Sequence, residues 1–141
     1  EGNEGSSDSM QVKFNFAGQW IDLGGDNRLP HMYGGWKHLA FSYNSTTSKF
    51  FVYQNGVKVN LPANFTDRKD GDNPLGSNFD LNNHVSKFVI GAYQQHLCSP
   101  WNAPDGWMLH YTGKLDELRI YNKVLEDGDI NSIYKLEQMG R

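Results

Sequence analysis

The sequence predicts an all-β protein, an antiparallel two-sheet sandwich closed by one short C-terminal helix. Three observations carry this. Apolar and polar residues alternate with a period of two in 11–16, 36–43, 49–61, 87–92 and 115–121, as in strands with one dry face. Asn55-Gly56 interrupts one of these runs with the dipeptide that best tolerates the positive φ angles of a type I′ turn, so 49–54 and 57–61 fold back as a hairpin. Asp127 to Gln138 has helical spacing instead, with Ile130, Ile133, Tyr134 and Leu136 making an apolar stripe and Gly140 beyond the end.

At 141 residues the chain fits one domain with a respectable core. Its 15 glycines, 8 Phe, 7 Tyr and 4 Trp suit short strands joined by tight turns. A net charge of −3 argues against a nucleic-acid partner, which would need a basic face. No apolar run is long enough to cross a bilayer, and no segment reads as a signal peptide. An exported protein would have had its targeting segment removed. Cys98 is the only cysteine, so no internal disulfide forms. This does not decide the compartment, because exported bacterial domains of this size often manage without one.

In chain order, residues 1–9 read as a loop or disordered end, being Gly, Ser and acidic residues. Met10 to Phe16 alternates, with Val12, Phe14 and Phe16 on one face. Trp20, Ile21 and Leu23 make a second strand, broken by Gly24-Gly25. Asp26 to Gly35 is a connection. Trp36 to Tyr43 is apolar on both sides, as expected of a strand between two packed layers. Trp20 and Trp36, each in an alternating strand, read as core residues. After the Asn44-to-Thr47 turn comes the hairpin, and then a polar loop, Pro62 to Asn78. Phe79 to Leu81 and Lys87 to Ala92 are further short strands. A second long loop, Tyr93 to Gly106, carries Cys98, two prolines and Trp101. Met108 to Thr112 leads into a strand, Leu115 to Tyr121, that places Leu118 and Ile120 on one side and Glu117, Arg119 and Tyr121 on the other.

Four pieces of this chain, in order, resemble the laminin G-like jelly roll of the concanavalin A-like lectins and glucanases. They are Trp36-Lys-His-Leu-Ala40, Tyr53-Gln-Asn-Gly56, Phe88-Val-Ile-Gly91, and Gly113-Lys-Leu-Asp-Glu-Leu-Arg-Ile-Tyr121 before the closing helix. The resemblance implies a jelly-roll sandwich over 10–141. The family's opening strands are not visible before Val12, so upstream residues are expected to complete the sheets. The helix start carries Glu126 and Asp127 where the family has Ser or Asp, a weaker cap that still suits the helix dipole.

The candidate chemistry is sparse. Asp116 and Glu117 are adjacent, so on a strand they face opposite sides and cannot flank one glycosidic bond. The Glu-x-Asp-x-x-Glu strand of the related glucanases is absent, which leaves the pair a structural role with Arg119 or turn amides. Calcium is a candidate cofactor, because Asp67, Asp70, Asp72 and Asn73 offer hard oxygen ligands in a Gly-containing loop. The alternative is a solvated turn balanced by Arg68 and Lys69. The five histidines show no metal-ligand spacing. His38 reads as a hydrogen-bonded strand residue and Cys98 as a half-buried loop residue. Asn44-Ser-Thr and Asn64-Phe-Thr match the glycosylation acceptor and mark surface loops.

The strongest binding candidates lie in the second long loop. Trp101 and Trp107 flank Asn-Ala-Pro-Asp-Gly, and Tyr93, Asn102 and Asp105 are near in sequence. Exposed rings stack on the apolar faces of sugars, while Asn and Asp bind hydroxyls; the alternative is that the rings only close the end of the sandwich. The resemblance implies a non-catalytic recognition module, for a glycan, in a larger exported or cell-surface protein with neighbouring domains. A structural or protein-binding module is the alternative, with a glycoside hydrolase a remote third.

Overall fold

The computed structural model of the chain describes residues 8–16, 19–77, 89–97 and 102–140. The chain forms two compact units, Glu1–Phe79 with Tyr121–Arg141, and Asp80–Ile120. In the first unit, β1 (Val12–Phe16) and β2 (Gln19–Leu23) form an antiparallel hairpin that pairs Val12 with Leu23 and Phe14 with Ile21. A second sheet runs β3 (Leu39–Asn44), β4 (Lys49–Gln54), β5 (Val57–Lys58), also antiparallel. A single helical turn, α1 (Ala63–Thr66), follows, and then a small ribbon of β6 (Lys69–Asp70) and β7 (Asn73–Pro74). The unit ends in α2 (Asp127–Gln138), the bounds read from the sequence.

The core joins Val12, Ile21 and Leu23 of the first hairpin to Leu29 and Met32 of the connection and Phe50 and Val52 of β4. Each such side chain taken fully out of water contributes roughly 1.5–3 kcal/mol. The odd positions of β4 point the other way, yet Tyr53 is also buried, beside α2. Burial on both sides is therefore found in β4, at Phe50, Val52 and Tyr53, whereas 36–43, apolar on both sides in sequence, leaves Trp36 and Phe41 exposed.

Helix α2 is held on the turn of the β4–β5 hairpin. Asn55 and Gly56 have φ of 51° and 73°, the left-handed angles expected for their dipeptide. The Asn131 amide donates to the Gly56 carbonyl at 3.3 Å, and Ile130 is buried. Tyr53 Oη and Lys58 Nζ both reach Asp127 Oδ1 at 2.8 Å, joining strand, hairpin and helix start. The helix start is better closed than its sequence suggested, because Asp129 Oδ2 accepts the Glu126 N–H at 3.2 Å.

Several expectations are corrected. Trp36 is 65% exposed rather than in the core, and β3 begins only at Leu39. The reason lies at His38, whose N–H donates to Asn55 Oδ1 at 3.2 Å while its carbonyl accepts the Asn55 N–H at 2.9 Å. The hairpin turn thus marks where pairing starts, and upstream Gly34, with φ of 77°, lies in a bend. Asp8, expected in a loose end, is tied down: it accepts the Tyr33 N–H at 3.1 Å, and its other oxygen meets His31 Nδ1 at 2.7 Å.

In the second unit, Gln94–Leu97 make a 3-10 turn, and residues 89–92 and 108–120 form no strand. The alternation in 115–121 therefore has no ladder among the described residues. Glu117 carries a φ of 51°, which breaks an extended run, and Leu118 and Ile120 are exposed. The strand expected at 79–81 and the start of 87–92 lie outside the described residues. The described strands are all antiparallel, in sheets of two, three and two. They agree with the β class, but the jelly-roll closure drew on 87–92 and 115–121 and is not assembled from them.

Candidate functional site

The second unit brings two parts of its chain together. The Tyr111 N–H donates to the Gly91 carbonyl at 2.7 Å, which sets 91–97 beside 107–111. On one side, the 3-10 turn closes with the His96 N–H donating to the Tyr93 carbonyl at 3.0 Å. On the other, the Met108 N–H donates to the Asp105 carbonyl at 2.9 Å, turning the chain at Gly106-Trp107 and leaving Met108 buried.

Four rings meet where these turns face each other. Tyr93 and Trp107 pack edge to face, with centroids 5.6 Å apart and planes at 82°. His96 lies against Tyr93 at 6.3 Å and against His110 at 4.1 Å. Trp107 remains 48% exposed, and Asn102 and Asp105 are exposed as well. Of the five residues singled out from sequence, Tyr93 and Trp107 thus converge. Asn102 and Asp105 sit on the segment leading into Trp107, and Trp101 lies outside the described residues, as does Cys98. His96 and His110 were missed, since nothing in their sequence spacing announces that they touch.

The acidic loop behaves differently. The Asp67 carboxylate pairs with Lys49, where the two residues form an isolated bridge, and Lys49 holds it below the usual carboxylate range. Asp70 and Asp72 are exposed on either side of Gly71 in the β6–β7 ribbon, and Asn73 is the cross-strand partner of Asp70. Among the described residues no group of three His, Cys, Asp or Glu side chains is placed to hold a metal ion.

Asp116 and Glu117 take the structural roles expected of them. Asp116 Oδ1 accepts the Glu117 N–H at 2.8 Å, and Glu117 Oε2 accepts from Arg119 at 2.7 Å. Asn44 uses its side-chain oxygen to accept the N–H groups of Thr46 and Thr47.

One concavity was not legible in the sequence. It is an open cleft of about 260 Å³ in the first unit, lined by Phe51, Lys58, Val59, Asn60, Leu61 and Thr66. The Lys58 ammonium sits 4.4 Å from the centroid of the Phe51 ring and covers it, so that ring is not a free stacking platform. Trp107 in the second unit, by contrast, keeps 48% of its surface exposed.

No curated protein and no solved structure matches the chain. A laminin G-type family model, described as the concanavalin A-like lectin/glucanases superfamily, matches residues 3–131. The match takes in 3–35, where sequence motifs show no family pattern, as well as the motif-bearing remainder. No described helix is long and apolar enough to cross a membrane. Matched over most of its length, the chain belongs to the concanavalin A-like lectin/glucanases superfamily as a laminin G-like domain.

Proposed function

We propose that the domain is a non-catalytic recognition module of an exported or cell-surface protein, and that it binds a glycan at 93–107. The observation that carries this reading is the Tyr93–Trp107 pair: one ring fixes the other edge-on, and Trp107 keeps about half its surface open. A ring held this way can stack on the C–H face of a sugar without first being ordered, and the exposed Asn102 and Asp105 supply hydroxyl partners. Superfamily membership supports a binding role in general. The Glu117–Arg119 pair and the Glu117 N–H bond to Asp116 support structural roles for these two carboxylates. Asp67, paired with Lys49, and the exposed Asp70 and Asp72 stand outside this glycan site.

A second reading, a protein-binding or bracing module, is favoured by Leu109, Leu115, Leu118 and Ile120, all more than 60% exposed in the same unit as the ring cluster. A glycan-array screen separates the two. Binding to a defined glycan group, lost in Trp107→Ala, supports the first reading. An array without binding, or binding that Trp107→Ala leaves intact, contradicts the proposed site.

A further inference from the structure

Independently of glycan binding, we propose that His96 and His110 form a two-imidazole site for a borderline divalent transition-metal ion, with Cu2+ the best fit and Ni2+ and Zn2+ weaker. The two rings come from opposite sides of the turn cluster, with centroids 4.1 Å apart and planes inclined by 42°. That is closer than either ring contact of Tyr93, and the planes are neither stacked nor edge-on. Metal–imidazole bonds are about 2.0–2.1 Å long. With His96 held at Tyr93, rotation of the exposed His110 side chain would turn one of its nitrogens toward an ion at His96.

The surroundings of His96 are compatible with the ligating tautomer. Its Nδ1 lies 3.2 Å from the Tyr93 carbonyl oxygen and 3.2 Å from the Tyr93 amide nitrogen. With its proton on Nδ1, the ring donates to the carbonyl and presents the Nε2 lone pair. A backbone carbonyl commonly orients metal-binding histidines in this way. With the proton on Nε2, the ring instead accepts the Tyr93 N–H and cannot bind through that nitrogen. The backbone at Tyr93 accommodates both forms, so an arriving ion can take the first without disturbing the turn.

The donor set decides the class of ion. Neutral imidazoles suit Zn2+, Cu2+ and Ni2+ and discriminate against Ca2+ and Mg2+, which want oxygen, and among the first-row ions Cu2+ binds most tightly. His110 is exposed and His96 half-buried, so an ion reaches the pair from solvent. No group of three protein ligands forms among the described residues. Water or an oxygen of a bound molecule would complete the coordination, leaving the ion an open position.

The test uses the full chain and the metal salt alone. With imidazole-labelled protein, substoichiometric Cu2+ should broaden the side-chain resonances of His96 and His110 before those of His31, which is exposed and paired with Asp8. Calorimetric titration at neutral pH should show one principal site, weakened at least tenfold in both His96→Gln and His110→Gln and unchanged in His31→Gln. Binding should also fade as the solution is acidified, because protons compete for the same nitrogens. Equal broadening of His31, or either site variant binding like the parent chain, would overturn the assignment. The resonance measurement needs no variant, so the result stands even if a substitution perturbs folding.

Discussion

Gly56 and Tyr134 stand so close that a β-carbon added to the glycine would lie 3.0 Å from Tyr134 Cβ and Cδ1, and 3.1 Å from Asn131 Cα. The turn of the β4–β5 hairpin and the face of α2 are thus fitted around the absence of one methyl group. The same turn needs a left-handed residue, with Gly56 at φ of 73°.

Gly56→Ala should therefore be among the most damaging small substitutions in the chain. The left-handed backbone alone costs an ordinary residue about 1–2 kcal/mol, and the contact with the helix adds to it. A loss of about 2 kcal/mol or more is expected in urea unfolding. A variant as stable as the parent chain would show that α2 does not rest on this turn.

Asp127 links the hairpin to the same helix and gives stability a pH dependence. The Lys58 ammonium first, and the Tyr53 hydroxyl second, hold its carboxyl below its ordinary value of 3.8. This contribution is present above that value and disappears as the pH falls through the lower folded-state value. Asp127→Asn should flatten that acid limb in plots of unfolding midpoint against pH. Lys58 and Asp127 are both partly exposed, so the effect should also shrink in high salt. On the alkaline side, burial pushes the Tyr53 hydroxyl above 10.0, aided by its bond to Asp127. Stability tied to that hydroxyl is present below 10.0 and falls as the pH rises through the raised value. Tyr53→Phe should remove this dependence and cost about 1 kcal/mol near neutrality.

The carboxylates at 116 and 117 bear on activity. With Glu117 paired to Arg119 and Asp116 accepting a backbone N–H, the purified domain should release no reducing sugar from polysaccharides. Release that persists through purification and vanishes in Glu117→Gln would make the domain a hydrolase.

How much of this was legible depended on how local the signal was. The Asn55-Gly56 turn and the bounds of α2 were readable because each is fixed by neighbours in sequence: a dipeptide that tolerates positive φ, and a stripe three to four residues apart. Alternation in 115–121 was equally clear but only permits a strand. A ladder needs a partner, and a left-handed Glu117 interrupts the run. Trp36 failed for a related reason, since its apolar character suggested core while pairing at Asn55 starts the strand three residues later, at Leu39. In the candidate site, Tyr93 and Trp107 could be chosen as aromatic residues of one Pro- and Gly-rich loop. His96 and His110 could not, because their contact is made by the backbone bond between Tyr111 and Gly91, which leaves no mark on composition or spacing.

The central claim is that an open Trp107, braced by Tyr93, is a sugar platform. A stacked ring contributes on the order of 1 kcal/mol or more, so Trp107→Ala should weaken binding about tenfold. Because the ring is half-exposed, the melting temperature should barely move. The measurement is calorimetric titration of the parent chain and Trp107→Ala with the glycan selected on the array, with thermal melts of both. A tenfold loss of affinity at an unchanged melting temperature is the predicted result. Equal affinity, or a large fall in melting temperature, would make Trp107 a structural residue and place the ligand elsewhere.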